Sequence, residues 1–203
     1  MKTKLLLVSL TTICAGAFCA AEAPRVGAPA PGFALTDSHG EARSLGEFKG
    51  KYVVLEWFNP GCPFVQKHYK SENMQQLQKL FTGKDVVWLT IDSGAPGNEG
   101  SLTPAQANRQ IVDWKMNPTA LLLDPEGKVG HEYAATNTPH MFVIDPGGKL
   151  LYSGAIDSKP TADPNDIKSA TNYVKVALDE AMAGKPVTTP NSRAYGCSIK
   201  YSR

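Results

Sequence analysis

The stretch EWFNPGCPFVQKHY (residues 56–69) places Cys62 at the junction between a predicted strand and a predicted helix. The strand, KYVVLEWF (51–58), is almost entirely apolar and rich in β-branched and aromatic residues, which is typical of a central strand covered on both faces. From 63 to about 81, apolar residues recur at three- and four-residue steps, which predicts a helix. Val65 stands where a C-x-x-C pair would have its second thiol, so Cys62 has no thiol nearby in sequence.

The rest of the chain predicts further strands and helices in alternation. The remaining strands are predicted at 32–45 (an edge hairpin), 85–92, 119–124 and 140–154 (two strands joined by a tight turn). The remaining helices are predicted at 103–115, with Thr103 as N-cap, and at 166–182. This order predicts a single α/β domain with a mixed central sheet flanked by helices, parallel in its first half and with an antiparallel hairpin at one side.

The N-terminus has the pattern of a secretory signal peptide. Residues 1–24, MKTKLLLVSLTTICAGAFCAAEAP, contain two lysines, then an apolar run, then small residues, and we place cleavage after Ala21. A transmembrane anchor is the alternative, but the apolar run is short and interrupted by Ser and Thr. Cleavage would leave Cys62 and Cys197 in a secreted or periplasmic protein, where a disulfide can form. The expected organisation is a signal peptide, one globular domain and a C-terminal tail, at residues 1–21, 22–183 and 184–203.

Composition narrows the classes of partner. The 203 residues carry a formal net charge of +2, with lysines and arginines scattered along the chain. We therefore expect no nucleic-acid partner, and no stable membrane insertion once the signal is removed. The sequence contains neither a Gly-rich phosphate loop nor a Ser–His–Asp set, and we expect no cofactor.

The position of Cys62 predicts redox chemistry. Pro63 is suited to the first position of a helix, which makes Cys62 the N-cap. The free N–H groups and the positive end of the helix dipole favour a thiolate, so the pKa of Cys62 should fall below ~8.5. A thiolate is the nucleophile in disulfide exchange and in peroxide reduction. The alternative is a buried cysteine with a purely structural role.

Glu56 interrupts the apolar strand six residues before Cys62. A carboxylate buried without a partner is costly, so its pKa should rise, and such a group can exchange a proton near neutral pH. The alternatives are that Glu56 lies where the strand is hydrated or that it pairs with a lysine or arginine.

Two segments resemble a known family. They are APAPGFALTDSHGEARSLGEFKGKYVVLEWFNPGCP and LLLDPEGKVGHEYAATNTPHMFVIDPGGKLLYSGAI, and the resemblance covers roughly residues 27–182. They resemble the exported thioredoxin-like redoxins, related to the alkyl hydroperoxide reductase/thiol-specific antioxidant group. The resemblance implies a thioredoxin-like fold with antioxidant activity and Cys62 as nucleophile. It also implies a cis Pro139 beside that cysteine, a Thr138 backbone available to bind a partner chain, and Glu56 as the buried acid.

The sequence departs from both branches of that family. Val65 replaces the second cysteine of thioredoxins, so a mixed disulfide on Cys62 cannot be resolved by a neighbouring thiol. Peroxiredoxins carry P-x-x-x-T/S-x-x-C, and here the matching positions are Leu55 and Asn59. Efficient peroxidase activity is therefore not expected from the motif.

Cys197 is the other candidate thiol of the mature chain, and three hypotheses remain open for it. It resolves a sulfenic acid or mixed disulfide on Cys62, or it forms a stable disulfide that fixes the tail, or it does not meet Cys62. A metal site built from Cys62 and His140 would have too few ligands, so we expect none.

We predict an exported thiol–disulfide oxidoreductase. Its partners would be protein thiols and disulfides or small peroxides, together with a thiol reductant. A thiol-dependent peroxidase is one alternative, and a non-enzymatic binding module with a structural disulfide is the other.

Overall fold

The computed structural model describes residues 23–202; the predicted signal peptide, with Cys14 and Cys19, lies outside the described residues. The strands are β1 (Ala34–Asp37), β2 (Ala42–Ser44), β3 (Val53–Trp57), β4 (Val87–Asp92), β5 (Ala120–Leu123), β6 (Asn137–Thr138), β7 (His140–Ile144), β8 (Leu150–Gly154) and β9 (Cys197–Ser198). The α-helices are α1 (Pro63–Lys70), α2 (Asn73–Thr82), α3 (Pro104–Asp113), α4 (Lys128–Glu132) and α5 (Tyr173–Met182). Two 3₁₀ helices lie at Leu45–Phe48 and Pro164–Ser169. No helix within residues 23–202 has the length and apolar character that crossing a bilayer requires.

Seven strands form one mixed sheet in the order β2-β1-β5-β4-β3-β7-β8. The three central strands, β5, β4 and β3, run parallel, and the outer pairs are antiparallel. The predicted α/β class with a mixed, helix-flanked sheet is therefore confirmed. Antiparallel hairpins close both edges: the predicted β1–β2 hairpin on one side and β7–β8 on the other.

The sheet separates the core into two layers, and alternate side chains of β3 face one layer or the other. Val54 and Phe58 face the layer that α1, α2 and α5 cover, and Cys62 belongs to this layer. Leu55 and Trp57 face the opposite layer, which α4 and the segment before β1 cover. Because both faces are covered, every residue of β3 is buried, as its near-continuous apolar sequence predicts.

The helix predicted over 63–81 is two helices. The hydroxyl of Ser71 donates to the carbonyls of Lys67 at 2.7 Å and of His68 at 3.2 Å, and these bonds end α1. Glu72 then takes a left-handed conformation, with φ of 61°, before α2 begins. The periodicity of apolar residues continues across this break, which is why the sequence pattern did not reveal it.

The helix predicted over 166–182 is likewise shorter. Its first part is the 3₁₀ helix Pro164–Ser169, and α5 begins only after Asn172. The side chain of Asn172 caps α5 by accepting a hydrogen bond from the Lys175 N–H at 2.9 Å.

The C-terminal tail folds back onto the domain. β9 pairs with β6, and the Ile199 N–H continues the pairing by donating to the Thr136 carbonyl at 3.1 Å. The side chain of Tyr201 lies against Gly127 and Gly130, where added Cβ atoms would come within 2.5 Å of its ring and 2.3 Å of its hydroxyl oxygen. The tail thus packs on the domain between Val187 and Tyr201, and two glycines make room for its last aromatic ring.

Val65→Ala should lower the free energy of unfolding by about 2 kcal/mol, because Val65 is 0% exposed and losing two methyl groups leaves a cavity. Val112→Ala is the matched control, since it makes the same change in a helix where the valine is 73% exposed. We expect the control to change stability by no more than about 0.5 kcal/mol. Urea unfolding of both variants measures the difference, and equal effects would contradict the burial of Val65.

Candidate functional site

Cys62 caps α1, and Pro63 occupies the first turn. The Cys62 carbonyl accepts the first helical hydrogen bond, from the Gln66 N–H at 2.9 Å. The Cys62 side chain is only 1% exposed, and its thiol donates to the carbonyl of Thr138 at 3.1 Å. The predicted position at the start of a helix is therefore what the structure shows, but the sulfur is covered.

The peptide bond between Thr138 and Pro139 is cis. This bond separates β6 from β7 and brings the Thr138 carbonyl against the Cys62 thiol. The geometry that the family resemblance implied for Pro139 is thus present. The proximity of Thr138 to the cysteine is present as well.

The backbone of Thr138 is not open to a partner chain, and that expectation was wrong for this conformation. In the β6–β9 pair, Thr138 lies opposite Cys197, and Asn137 lies opposite Ser198. The side-chain amide of Asn137 adds a bond to the Gly196 carbonyl at 2.9 Å. The chain's own tail occupies this edge. The sequence did not predict this pairing, because both strands have only two residues and lie far apart along the chain.

The tail brings Cys197 to Cys62. Both are free thiols; Cys62 bonds the Thr138 carbonyl, Cys197 lies opposite Thr138, and each thiol shifts the pKa of the other. Cys62 is buried in the core layer, whereas Cys197 packs against that layer and is partly exposed. Of the three hypotheses for Cys197, the one in which it does not meet Cys62 disagrees with the structure.

The two thiols have opposite pKa shifts. Burial raises the pKa of Cys62, but the Cys197 thiol, the Thr138 side chain and the N–H group of Val65 outweigh it, and the net pKa is lowered. The buried Thr138 hydroxyl has no other hydrogen-bond partner, so it is free to donate to a thiolate. Burial and the neighbouring Cys62 raise the pKa of Cys197 to about 12. Cys62 is therefore the thiol of the pair that ionises first.

Glu56 is fully buried on the same side of the sheet as Cys62, with four donors around its carboxyl group. Oε1 accepts from Tyr69 at 2.8 Å, and Oε2 accepts from Trp88 at 2.8 Å and from Gln78 and Thr90 at 3.2 Å each. Burial raises the pKa of Glu56, and these four hydrogen bonds oppose the rise. The alternatives of a hydrated carboxylate or an ion pair disagree with these contacts.

Cys62 is not among the groups that donate to Glu56. Any proton exchange between this carboxyl and the sulfur must therefore pass through other groups. The proton-handling role of Glu56 stays a prediction.

A buried polar cluster beside the cysteines was not predicted. Lys67 Nζ lies 3.1 Å from Asp157 Oδ2 and 2.8 Å from the Lys159 carbonyl. The Tyr195 hydroxyl, two residues before Cys197, also donates to Asp157. His68 Nε2 lies 3.7 Å from the same carboxylate, and burial lowers the His68 pKa to about 4. The signal in the sequence was slight, because Lys67 and His68 resemble ordinary surface residues of a helix.

The structure does not bring metal ligands together around Cys62. His140 is buried and stacks on Phe142 at 4.5 Å, and burial lowers its pKa to about 4. Its Nδ1 faces the Thr136 N–H at 3.4 Å. Within residues 23–202 no three His, Cys, Asp or Glu side chains are grouped as a metal site would require.

Residues 26–153 match the AhpC/TSA family. The chain belongs to this family. The match covers the sheet from β1 to β8 and includes Cys62, Thr138 and Pro139, so the predicted family resemblance is confirmed.

Curated relatives of this AhpC/TSA member are named thiol-disulfide oxidoreductase ResA. The Bacillus thuringiensis subsp. konkukian protein is 29% identical over 140 residues, covering 69% of this chain and 75% of the relative. The Bacillus subtilis protein is 26% identical over 167 residues, covering 72% of this chain and 93% of the relative. The predicted enzyme class, a thiol-dependent oxidoreductase, is confirmed by the family and these relatives.

Solved structures show the same fold. A hypothetical protein from Sinorhizobium meliloti 1021 has a TM-score of 0.74 at 22% identity, covering 89% of this chain and 97% of its own. An uncharacterized conserved protein from Geobacillus kaustophilus has a TM-score of 0.74 at 26% identity, covering 88% and 93%. The thioredoxin domain of a Bacteroides vulgatus thiol-disulfide oxidoreductase has a TM-score of 0.52 at 22% identity, covering 71% and 96%. The thioredoxin-like fold is therefore confirmed for this AhpC/TSA member.

The raised pKa of Glu56 predicts a pH-dependent stability. At pH values between the pKa of Glu56 in the unfolded chain and its higher pKa in the folded protein, the native state holds a proton that the unfolded chain has released. The free energy of unfolding therefore falls as pH rises through this range. Each unit of elevation costs about 1.4 kcal/mol once both states are ionised. Glu56→Gln, whose amide can donate to the Tyr69 hydroxyl, should lack this loss. Urea unfolding at a series of pH values measures it, and parallel profiles for the two proteins would contradict the raised pKa.

The lowered pKa of Cys62 can be measured without solvent access to the sulfur. Thiolates absorb in the ultraviolet, so the absorbance of wild type can be compared with that of Cys62→Ser across a pH series. We expect the difference to show one thiolate that forms below the pH at which an ordinary cysteine ionises. The corresponding difference for Cys197→Ser should appear only in strongly alkaline solution. A Cys62 midpoint at or above that of a free thiol would refute the lowered pKa.

Proposed function

We propose that the protein is an exported thiol–disulfide oxidoreductase in which Cys62 and Cys197 alternate between a dithiol and a disulfide. The observation that carries the proposal is that both thiols meet at Thr138, because Cys62 bonds its carbonyl, Cys197 lies opposite it in β9, and the two side chains interact. The pair replaces the C-x-x-C motif, whose second position is the buried Val65. The relatives named ResA support the reaction class, and the pattern of residues 1–21 supports export.

In the oxidative half of the cycle, the Cys62 thiolate attacks one sulfur of a substrate disulfide. A mixed disulfide forms on Cys62, and the other substrate sulfur leaves as a thiolate that takes up the proton of Cys197. Cys197 then attacks Cys62 Sγ, closes the Cys62–Cys197 disulfide and releases the second substrate thiolate. Two electrons pass from the protein to the substrate, and a thiol reductant must later return them.

The pKa values assign these roles within the pair. A thiolate attacks and a thiol does not, so the sulfur that ionises at the lower pH begins the reaction. That sulfur is Cys62, since its pKa is lowered while that of Cys197 is raised to about 12. The tail strand covers Cys62 in the dithiol state, so the first step requires that the short β9 strand move aside.

The structure offers no observation that favours a peroxidase. Leu55 is buried in the opposite core layer, away from the thiol. Asn59 bonds the Gly61 N–H at 2.7 Å and the Glu99 carbonyl at 3.2 Å, which shapes the loop before Cys62. Neither residue supplies the hydroxyl that the peroxiredoxin motif places near the sulfur.

Oxidation with glutathione disulfide should link the two cysteines. Trypsin releases Cys62 in peptide 52–67 and Cys197 in peptide 194–200, and each peptide contains one cysteine. We expect these peptides to be joined in oxidised protein. Reduction of a protein disulfide should fall to background in Cys62→Ser. In Cys197→Ser the mixed disulfide should accumulate on Cys62 without turnover.

Three outcomes would contradict the proposal. Unlinked peptides in fully oxidised protein would refute the redox pair. Linked peptides with reductase activity unchanged in Cys62→Ser would favour the binding module with a structural disulfide. Peroxide turnover that depends on Cys62, without disulfide reduction, would favour the peroxidase.

A further inference from the structure

The two cysteines differ in their exposure to solvent: Cys62 is buried, and Cys197 on the tail strand is partly exposed. Gly196, the residue before Cys197, lies so close to β6 that an added Cβ would be 2.1 Å from the Thr138 carbonyl oxygen and 3.4 Å from Phe64 Cβ. The backbone of the tail is thus in contact with the residues that surround Cys62. Cys62 is 1% exposed, while Cys197 keeps part of its surface in solvent.

We propose that the thiol reductant attacks the Cys62–Cys197 disulfide at the sulfur of Cys197, so that Cys197 carries the transient mixed disulfide in the reductive half of the cycle. This inference rests on the proposed function, because it requires that the disulfide form. It differs from the oxidative half, in which Cys62 attacks the substrate.

Access to the two sulfurs favours attack on Cys197. A thiolate displaces a sulfur along the line of the S–S bond, from the side opposite the leaving sulfur. Cys62 lies in the core layer with Phe58, Val65 and Tyr69, which are all buried, so a reductant reaches its sulfur only past packed side chains. Cys197 is partly exposed, and its neighbours Tyr195 and Gly196 line an open cleft of about 550 Å³. Attack on Cys197 therefore needs no passage through the core.

The leaving group favours the same sulfur. In thiol–disulfide exchange, the thiol of lower pKa leaves faster. Attack on Cys197 expels Cys62, whose thiolate the Thr138 side chain and the Val65 N–H still stabilise when Cys197 is in the mixed disulfide. Attack on Cys62 would have to expel Cys197, whose pKa burial raises.

Anchors on both sides of Cys197 keep the tail in place during the exchange. Before it, the Tyr195 hydroxyl donates to Asp157, whose other oxygen lies 3.1 Å from Lys67 Nζ. After it, the Tyr201 hydroxyl donates to the Ala135 carbonyl at 2.7 Å. Because these contacts do not involve the cysteines, the tail can stay docked while the S–S bond is exchanged.

The reductive step balances with two equivalents of a thiol. The first thiolate bonds to Cys197 Sγ, the bond between the two cysteines breaks, and Cys62 leaves as a thiolate. The second thiolate attacks the reductant's sulfur in the mixed disulfide and releases Cys197, which takes up a proton. The products are the oxidised reductant, as a disulfide, and the protein dithiol.

Glutathione is a suitable probe because it is a monothiol and leaves a mass label. Oxidised protein is mixed briefly with glutathione, quenched in acid and alkylated, and peptides 52–67 and 194–200 are weighed. At the earliest times we expect at least about tenfold more glutathione on Cys197 than on Cys62, since access and leaving group act in the same direction. Equal labelling, or more on Cys62, would overturn the inference.

Tyr195→Phe tests whether the docked tail causes the selectivity. It removes the hydrogen bond to Asp157 and keeps the ring that packs against Phe64 at 5.8 Å. The share of glutathione on Cys62 should rise several-fold. The matched control is Tyr52→Phe, which removes a hydroxyl that donates to the Ala181 carbonyl in α5 and should leave the ratio unchanged.

The redox pair and the attack on Cys197 can be refuted separately. If the ratio of glutathione on Cys197 to glutathione on Cys62 is the same in Tyr195→Phe as in wild type, the tail does not protect Cys62. That result would not contradict the proposed redox pair. A protein that forms no Cys62–Cys197 disulfide would contradict the proposed function itself, and this inference with it.

Discussion

The pairing of β9 with β6 is the constraint on which the candidate redox site depends. Two residues of the tail bind the edge next to the cis Thr138–Pro139 bond and hold Cys197 opposite Thr138. The Thr138 carbonyl in turn accepts the hydrogen bond of the Cys62 thiol. Two thiols that are 135 positions apart (197 − 62) thus become neighbours. Without this pairing, Cys62 would be a single cysteine at the start of a helix.

So short a strand cannot hold the tail by itself, and the structure supplies other anchors. The most notable joins Tyr195 to Asp157, which is paired with the fully buried Lys67 of α1. Removing one partner from such a buried pair typically costs about 3–5 kcal/mol, because the other charge is left without compensation. Since Lys67 lies on the helix that Cys62 caps, the same cluster fixes the tail and the helix relative to each other.

Much of the fold could be predicted from the sequence, because the central strands are apolar throughout and the helices repeat at regular steps. The short features could not. β6 and β9 have two residues each and no periodicity, and the break at Ser71 depends on a local side-chain bond. At the site, the position of Cys62 followed from Pro63 and the strand before it. The burial of its sulfur did not, because the covering residues come from the tail.

The contacts of the buried polar residues could not be predicted from the sequence either. The sequence left Glu56 either as a buried carboxyl with a raised pKa or as a hydrated or paired carboxylate; the structure buries it, and burial raises its pKa. The four donors that satisfy its carboxyl group come from α1, α2 and β4, and only the tertiary structure brings them together. Lys67 and Asp157 are ordinary charged residues in sequence, and their pairing depends on the packing of α1 against the segment after β8.

The central claim is that Cys62 and Cys197 act as one redox unit, and an equilibrium redox titration tests it most directly. Protein is equilibrated in mixtures of reduced and oxidised dithiothreitol, alkylated, and the free thiols at each cysteine are counted by mass. We predict that both thiols disappear together in one two-electron transition, with about 30 mV for each tenfold change in the ratio of dithiol to disulfide. Separate transitions for the two cysteines, or free thiols at both in the most oxidising mixture, would contradict it.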